Sequence, residues 1–324
     1  MRKTTHPIAA MAVFLLMGSL LLLGSNGLVM AGEYPTKPIR LIYPFPAGSG
    51  GDVSTRILAD VVSKVLKKPV KVSNVTGGRG TLGASTVARA RKGGYELGSL
   101  PTGPAVTQTV FNPQINYKPS NFDPIVQFTY FPIVLVAGAD KPYKTVPELV
   151  AYAKKNPGKV SFAHPGQGSI PYLMMKALET QSGIKLTGIP FKGLAPGVAA
   201  AVGGHVDIAV AVYAGVLGFK KAGKLNILGL FAGERLKFAP EVPTVKEDGI
   251  KTYPQNWCGI FGPKGMDPAV RKKLEEAFTK AVKSPEFVAA MEKIQLPVEY
   301  LNSKDFAAKI KRDVKYYNQF KVSK

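Results

Sequence analysis

His164, His205 and the single cysteine Cys258 are the residues beyond the first thirty-one that are best suited to metal, nucleophilic or acid–base work. They do not cluster: zinc needs three or four such ligands, usually at short spacing, and one cysteine forms no internal disulfide. No metal and no cofactor is expected. The serine-hydrolase elbow G-x-S-x-G and the zinc-protease motif H-E-x-x-H do not occur. His164 lies in a turn, where it could act as an acid or base or simply satisfy backbone groups. His205, in Gly203-Gly204-His205-Val206-Asp207, reads as a turn residue, and Cys258 beside Trp257 as a buried structural thiol. Gly78 to Gly83 spells G-x-G-x-x-G, but a dinucleotide site wants an acid at the end of the next strand, and Glu96 stands at its start. Gly218 to Lys224 approaches a phosphate loop until Leu225 occupies the Ser/Thr position.

Anion-binding turns are the chemistry the chain does supply. At 44–52, 76–81 and 164–169, glycine and small residues stand between a strand signal and a helix signal. Unpaired N–H groups and the positive end of the helix dipole favour an anion there. In open α/β sheets such ligands sit beyond the carboxyl ends of the strands. The amides of Ala47-Gly48-Ser49 are expected to point at a ligand, with Asp52 as the helix N-cap. Lys192, after a strand signal, could pair with a carboxylate or face solvent.

The elements that position these turns follow a repeating grammar. Strand signals at Ile39–Tyr43, Val70–Val75 and Tyr95–Leu100 alternate with helical spacing at Ile57–Val65 and Leu82–Arg91. A second series starts near Ile133, with strands near Val160–Ala163, Ile208–Val212 and Leu225–Phe231. Helices are expected near Pro268–Lys283, Pro285–Ile294 and Lys304–Lys321, after an extended piece at Trp257–Phe261. The length of 324 residues suits about two domains. The reading is a discontinuous first lobe, 32–132 plus 236–324, and a second lobe, 133–235, with crossings near 130 and 235.

Arg2 and Lys3, an apolar run from Ile8 to Leu23 and the small residues ending at Ala31 read as a signal peptide, residues 1–31, cleaved after Ala31. The remainder is expected to be soluble and exported to the periplasm. The net charge of +22, falling to +20 without Arg2 and Lys3, favours acidic partners. The basic residues are scattered and not interleaved with aromatics, so no nucleic-acid binding is expected.

With the elements placed, Tyr34-Pro35-Thr36-Lys37-Pro38-Ile39-Arg40, Pro44-Phe45-Pro46-Ala47-Gly48 with Asp52 and Arg56, and Asn74 through Gly83 resemble the Bug-type receptors of tripartite tricarboxylate transporters. Pro190-Phe191-Lys192-Gly193, Ala222-Gly223-Lys224-Leu225 and Val242-Pro243-Thr244-Val245 extend the likeness over nearly the whole chain after the signal segment. The resemblance implies an α/β, two-lobed periplasmic-binding-protein fold of the type II-like form. Each lobe would be a mixed, largely parallel sheet flanked by helices, with the ligand cleft between. It implies a monomer that captures a small organic anion, often a carboxylate, for membrane transporter subunits. By that likeness the site comprises Phe45, Ala47, Gly48, Ser49 and Asp52; Gly78, Arg79, Gly80 and Thr102; His164, Gly166, Gly168 and Ser169; and Phe191, Lys192 and Ala211. Ser49 stands where glycine is usual, His164 where a small polar residue is usual, and Ala211 where many relatives carry an acid, which weighs against an amino-acid ligand. The competing readings are an exported α/β enzyme acting on a small anion through His164, and a basic adhesion module.

Overall fold

The computed structural model describes residues 34–251 and 255–320; the expected signal segment lies outside them. The chain opens with strand β1 (Ile39–Tyr43), helix α1 (Gly50–Leu66), β2 (Val70–Asn74), α2 (Thr81–Ala88) and β3 (Glu96–Pro101). A π-turn at Gly103–Thr107 runs into the short α3 (Gln108–Phe111), and β4 (Phe122–Phe131) follows. β1 lies between β2 and β3, parallel to both. It buries Ile39, Leu41, Ile42 and Tyr43, the nearly continuous apolar run a strand covered on both faces requires. α1 turns Leu58, Val61 and Val62 inward and ends at Lys67, which takes up a left-handed φ of 52°.

Only Pro132 separates β4 from β5 (Ile133–Gly138), yet the two strands belong to different sheets. The second series runs α4 (Val146–Lys155), β6 (Ser161–His164), α5 (Ile170–Ser182), β7 (Thr187–Pro190), α6 (Leu194–Val202), β8 (Ile208–Val212), α7 (Leu217–Lys221) and β9 (Leu225–Leu230). The chain then returns to the first sheet through β10 (Asn256–Pro263), α8 (Pro268–Val282), α9 (Pro285–Lys293), β11 (Val298–Leu301) and α10 (Ser303–Asn318). Among the described residues the strand orders are β11-β4-β10-β3-β1-β2 and β7-β6-β8-β5-β9.

Both sheets are mixed. Parallel ladders join β1, β2 and β3, and likewise β6, β7 and β8, where helices make the crossovers; the other pairings are antiparallel. β10 comes back from the second sheet and inserts between β3 and β4, antiparallel to each. The sequence reading assigns no strand to 122–131, a segment in which Asp123, Pro124, Gln127 and Thr129 interrupt the apolar residues. Partners across the sheet compensate: Gln127 Nε2 donates to Glu299 at 2.6 Å and the Thr129 hydroxyl to the Pro297 carbonyl at 2.7 Å.

α10 closes the first core. Phe306 packs edge-on against Trp257, ring centres 4.9 Å apart, and the indole N–H donates to Asp313 at 2.7 Å. Cys258 is buried beside Ser99, and burial pushes its thiol up to about 12, so it stays protonated and inert at neutral pH. Among the described residues no helix is long and apolar enough to cross a membrane.

Candidate functional site

Two loops of the same design face each other across a cavity. After β1, Gly48 takes a φ of 82° and Ser49 caps α1: its hydroxyl accepts from the Asp52 amide at 3.3 Å and donates to the Pro46 carbonyl at 3.2 Å. After β6, Gly168 takes a φ of 74° and Ser169 caps α5: its hydroxyl accepts from the Tyr172 amide at 3.4 Å and donates to the Gly166 carbonyl at 2.7 Å. A Gly-Ser pair at a strand's end thus ends each loop with a left-handed glycine and begins each helix with a serine cap. The first-turn amides of Gly50, Gly51 and Ile170 have no protein partner among the described residues.

The N-cap of α1 is therefore Ser49. Asp52 lies three residues into the helix, buried, and works backwards: it accepts from the Gly48 amide at 2.9 Å, Arg56 Nε at 2.9 Å and Asn74 Nδ2 at 2.7 Å. Burial pushes its carboxyl up, but those donors outweigh it and hold the group below the usual range. This corrects the expectation that the Gly48 amide points at a ligand, because Asp52 has taken that N–H. The uncommitted donors lie farther along, at Gly50 and Gly51. Gly51 must lack a side chain, since a Cβ there would overlap the Tyr43 hydroxyl.

The cavity between the loops has a volume of about 920 Å³. The first sheet contributes Phe45, Ser49, Gly50, Gly51, Arg79 and the Gly103–Gln108 turn; the second contributes Ser169, Ile170, Phe191, Lys192, Gly193 and Val212. Gly193 is itself the N-cap of α6, with a φ of 123°. Arg79 and Lys192 make no ion pair among the described residues, and no Asp or Glu lines the cavity. Two cations and three helix N-termini thus meet in one space without a compensating acid, which makes the site electrostatically suited to an anion.

Of the residues expected at the site, Phe45, Ser49, Arg79, Ser169, Phe191 and Lys192 line this cavity. Gly78 and Arg79 border a smaller hollow of about 260 Å³ shared with Gln167. Ala47 and Gly48 sit outside the lining. Gly80 packs against Phe45 and Pro104, and the Thr102 hydroxyl is held by the Gln255 and Trp257 carbonyls. Gly166 and Gly168 make room for Arg79 and Phe111 respectively, so first-sheet residues reach across to the second-sheet loop. His164 is buried between Phe162 and Tyr172, with Nδ1 accepting from the Gly166 amide at 3.0 Å; burial lowers its pKa, favouring the neutral ring. It shapes the loop without lining the cavity. Ala211 also faces away, into the core with Val134 and Ala163, and its neighbour Val212 takes the cavity side.

Tyr43, Gln108, Phe131, Asn256, Ile294 and Leu296 line the cavity although the sequence reading omits them. The apolar end of β1 hints at Tyr43. No local signal marks Asn256, Ile294 or Leu296, which arrive from the far end of the chain. Among the described residues no group of three or more His, Cys, Asp or Glu is placed to hold a metal ion.

Two sheets carried on one chain, passed between twice and enclosing a cleft, define the class: a solute-binding receptor of the periplasmic type. Residues 54–320 match the tripartite tricarboxylate transporter family receptor, and the chain belongs to that family. A Cupriavidus necator relative named "UPF0065 protein in gbd 5'region" is 34% identical over 86% of this chain and 84% of its own length. A solved TctC solute-binding protein from Polaromonas superposes with a TM-score of 0.76 at 31% identity, covering 88% of this chain and 98% of that one. MatC from Rhodopseudomonas palustris, solved with bound malate, gives a TM-score of 0.74 at 25% identity, covering 88% of this chain and 99% of that one.

Proposed function

We propose that the protein captures a small organic anion, a carboxylate, in the cavity between the two sheets and delivers it to the membrane subunits of a tripartite transporter. The observation that carries this reading is the pairing of unpaired Arg79 and Lys192 with the α1, α5 and α6 N-termini in a space lined by no acid. The malate bound to MatC is consistent with it. The lobes would be residues 32–132 plus 236–324, and 133–235, hinged at Pro132 and the returning segment, and the ligand would shift the equilibrium toward the closed form. The protein would act as a periplasmic monomer after cleavage following Ala31, bind no nucleic acid and catalyse nothing. An enzyme would need an acid–base group at the ligand, and His164 is turned into the loop instead.

Native mass spectrometry of protein purified without refolding tests this directly. A retained small carboxylate, one per chain and released unchanged, is the result expected. Conversion of the retained compound on incubation would favour the enzyme. N-terminal sequencing should find Gly32 first.

A further inference from the structure

Much of the cavity lining is apolar. Phe45, Phe131 and Phe191 bring three aromatic rings to it, and Val212, Ile294 and Leu296 add aliphatic surface from both sheets. Most of the hydroxyls nearby are already committed. Ser49 and Ser169 cap their helices, and the Thr107 hydroxyl donates to the Gly103 carbonyl at 3.3 Å. Gln108 is 6% exposed, and its side-chain amide has no hydrogen bond among the described residues. With Asn256 it supplies the uncommitted neutral side-chain groups of the lining. The volume of about 920 Å³ lies at the upper end of the roughly 300–1,000 Å³ typical of small-molecule sites.

Resting on the receptor reading above, we infer that the ligand is a carboxylate on an apolar body of ring or medium-chain size, with its body between Phe45, Phe131 and Phe191 and its charge at Arg79, Lys192 and the helix ends. An amino acid does not suit the site: with no Asp or Glu in the lining, its ammonium would sit beside Arg79 and Lys192. A hydroxylated di- or tricarboxylate fits less well. Beyond the Gln108 and Asn256 amides its hydroxyls would exchange water for committed serines or phenyl rings, and a stranded polar group costs about tenfold or more in affinity. Each buried methylene gains about fourfold.

Calorimetry on the dialysed protein separates these classes, using benzoate, cinnamate, butyrate, octanoate, malate, citrate, glutamate and the uncharged isostere benzamide. Cinnamate and octanoate should bind at least tenfold tighter than malate, citrate or glutamate. Octanoate should exceed butyrate by about fourfold per added methylene, and benzamide should be at least tenfold weaker than benzoate. Malate, citrate or glutamate binding tightest overturns the ligand class and leaves the receptor standing. Carboxylates binding no better than benzamide overturn both. Phe191→Ala, at a half-exposed ring, should cost cinnamate at least tenfold and malate less than threefold with an unchanged melting temperature. Equal losses for the two acids would remove Phe191 from the recognition surface.

Discussion

Arg79 and Lys192 are charged side chains that line the cavity from opposite sheets, and neither is neutralised by a protein acid among the described residues. A charge-assisted hydrogen bond contributes about 1.5–3 kcal/mol. Arg79→Ala or Lys192→Ala should therefore weaken carboxylate binding by about ten- to a hundredfold in calorimetry, with the melting temperature nearly unchanged. Arg79→Lys should recover only part of the loss, because a planar guanidinium engages both carboxylate oxygens and an ammonium acts as a point charge. Gly51→Ala should disturb both fold and site, since the new methyl meets the Tyr43 hydroxyl, whereas a Cβ at Gly48 meets nothing within 4 Å. Gly48→Ala should cost only the strain of a φ of 82°, about 1–2 kcal/mol.

The helix ends carry the next set of consequences. Losing a serine cap typically costs about 0.5–2 kcal/mol, so Ser49→Ala and Ser169→Ala should each lower stability by that amount in urea denaturation. Ser49→Asp separates cap from site: aspartate caps as well as serine, so stability should hold, while its charge in the cavity lining should repel a carboxylate and weaken binding at least tenfold. On α10, burial raises Asp313 to about 6, against about 3.9 in an unfolded chain. Because the folded value is the higher, the unfolded chain releases its proton first as pH rises. Stability is therefore lost between about pH 4 and 6 and stays level above that range. Asp313→Asn keeps an acceptor for the Trp257 N–H and removes the ionisation. It should be more stable than wild type by about 2–3 kcal/mol at pH 7, and the gap should close below about pH 4, measured by denaturation across that range.

Across the whole molecule, the net charge of +22 and the unpaired cavity cations act in the same sense on an incoming anion. Association measured by stopped-flow should slow as salt rises from 10 to 300 mM, roughly the range over which the screening length falls from about 30 to below 8 Å, while dissociation changes less. The proposed closure is tested at the same scale. Arg79 and Phe111 already reach the loop glycines Gly166 and Gly168, so a ligand bridging the same surfaces should stabilise that approach. Small-angle scattering should show a smaller radius of gyration with saturating ligand than without. An identical profile would mean that the sheets do not move.

The sequence by itself determined the local grammar: turns of glycine and small residues after apolar strands, and apolar spacing that predicts α1 and the three C-terminal helices near their observed ranges. These follow from interactions within a few residues, which sequence displays directly. Tertiary structure alone decided which turn amides stay uncommitted. Asp52 reaches back to Gly48 only because Arg56 and Asn74 hold it in place, one of them across the adjacent strand. It also decided that Val212, not Ala211, meets the cavity, since one step along a strand reverses the face. The insertion of β10 between β3 and β4 joins segments more than 120 residues apart and carries Asn256 to the site. Such pairings depend on cross-strand partners and closure of the whole chain, which no short window of sequence contains.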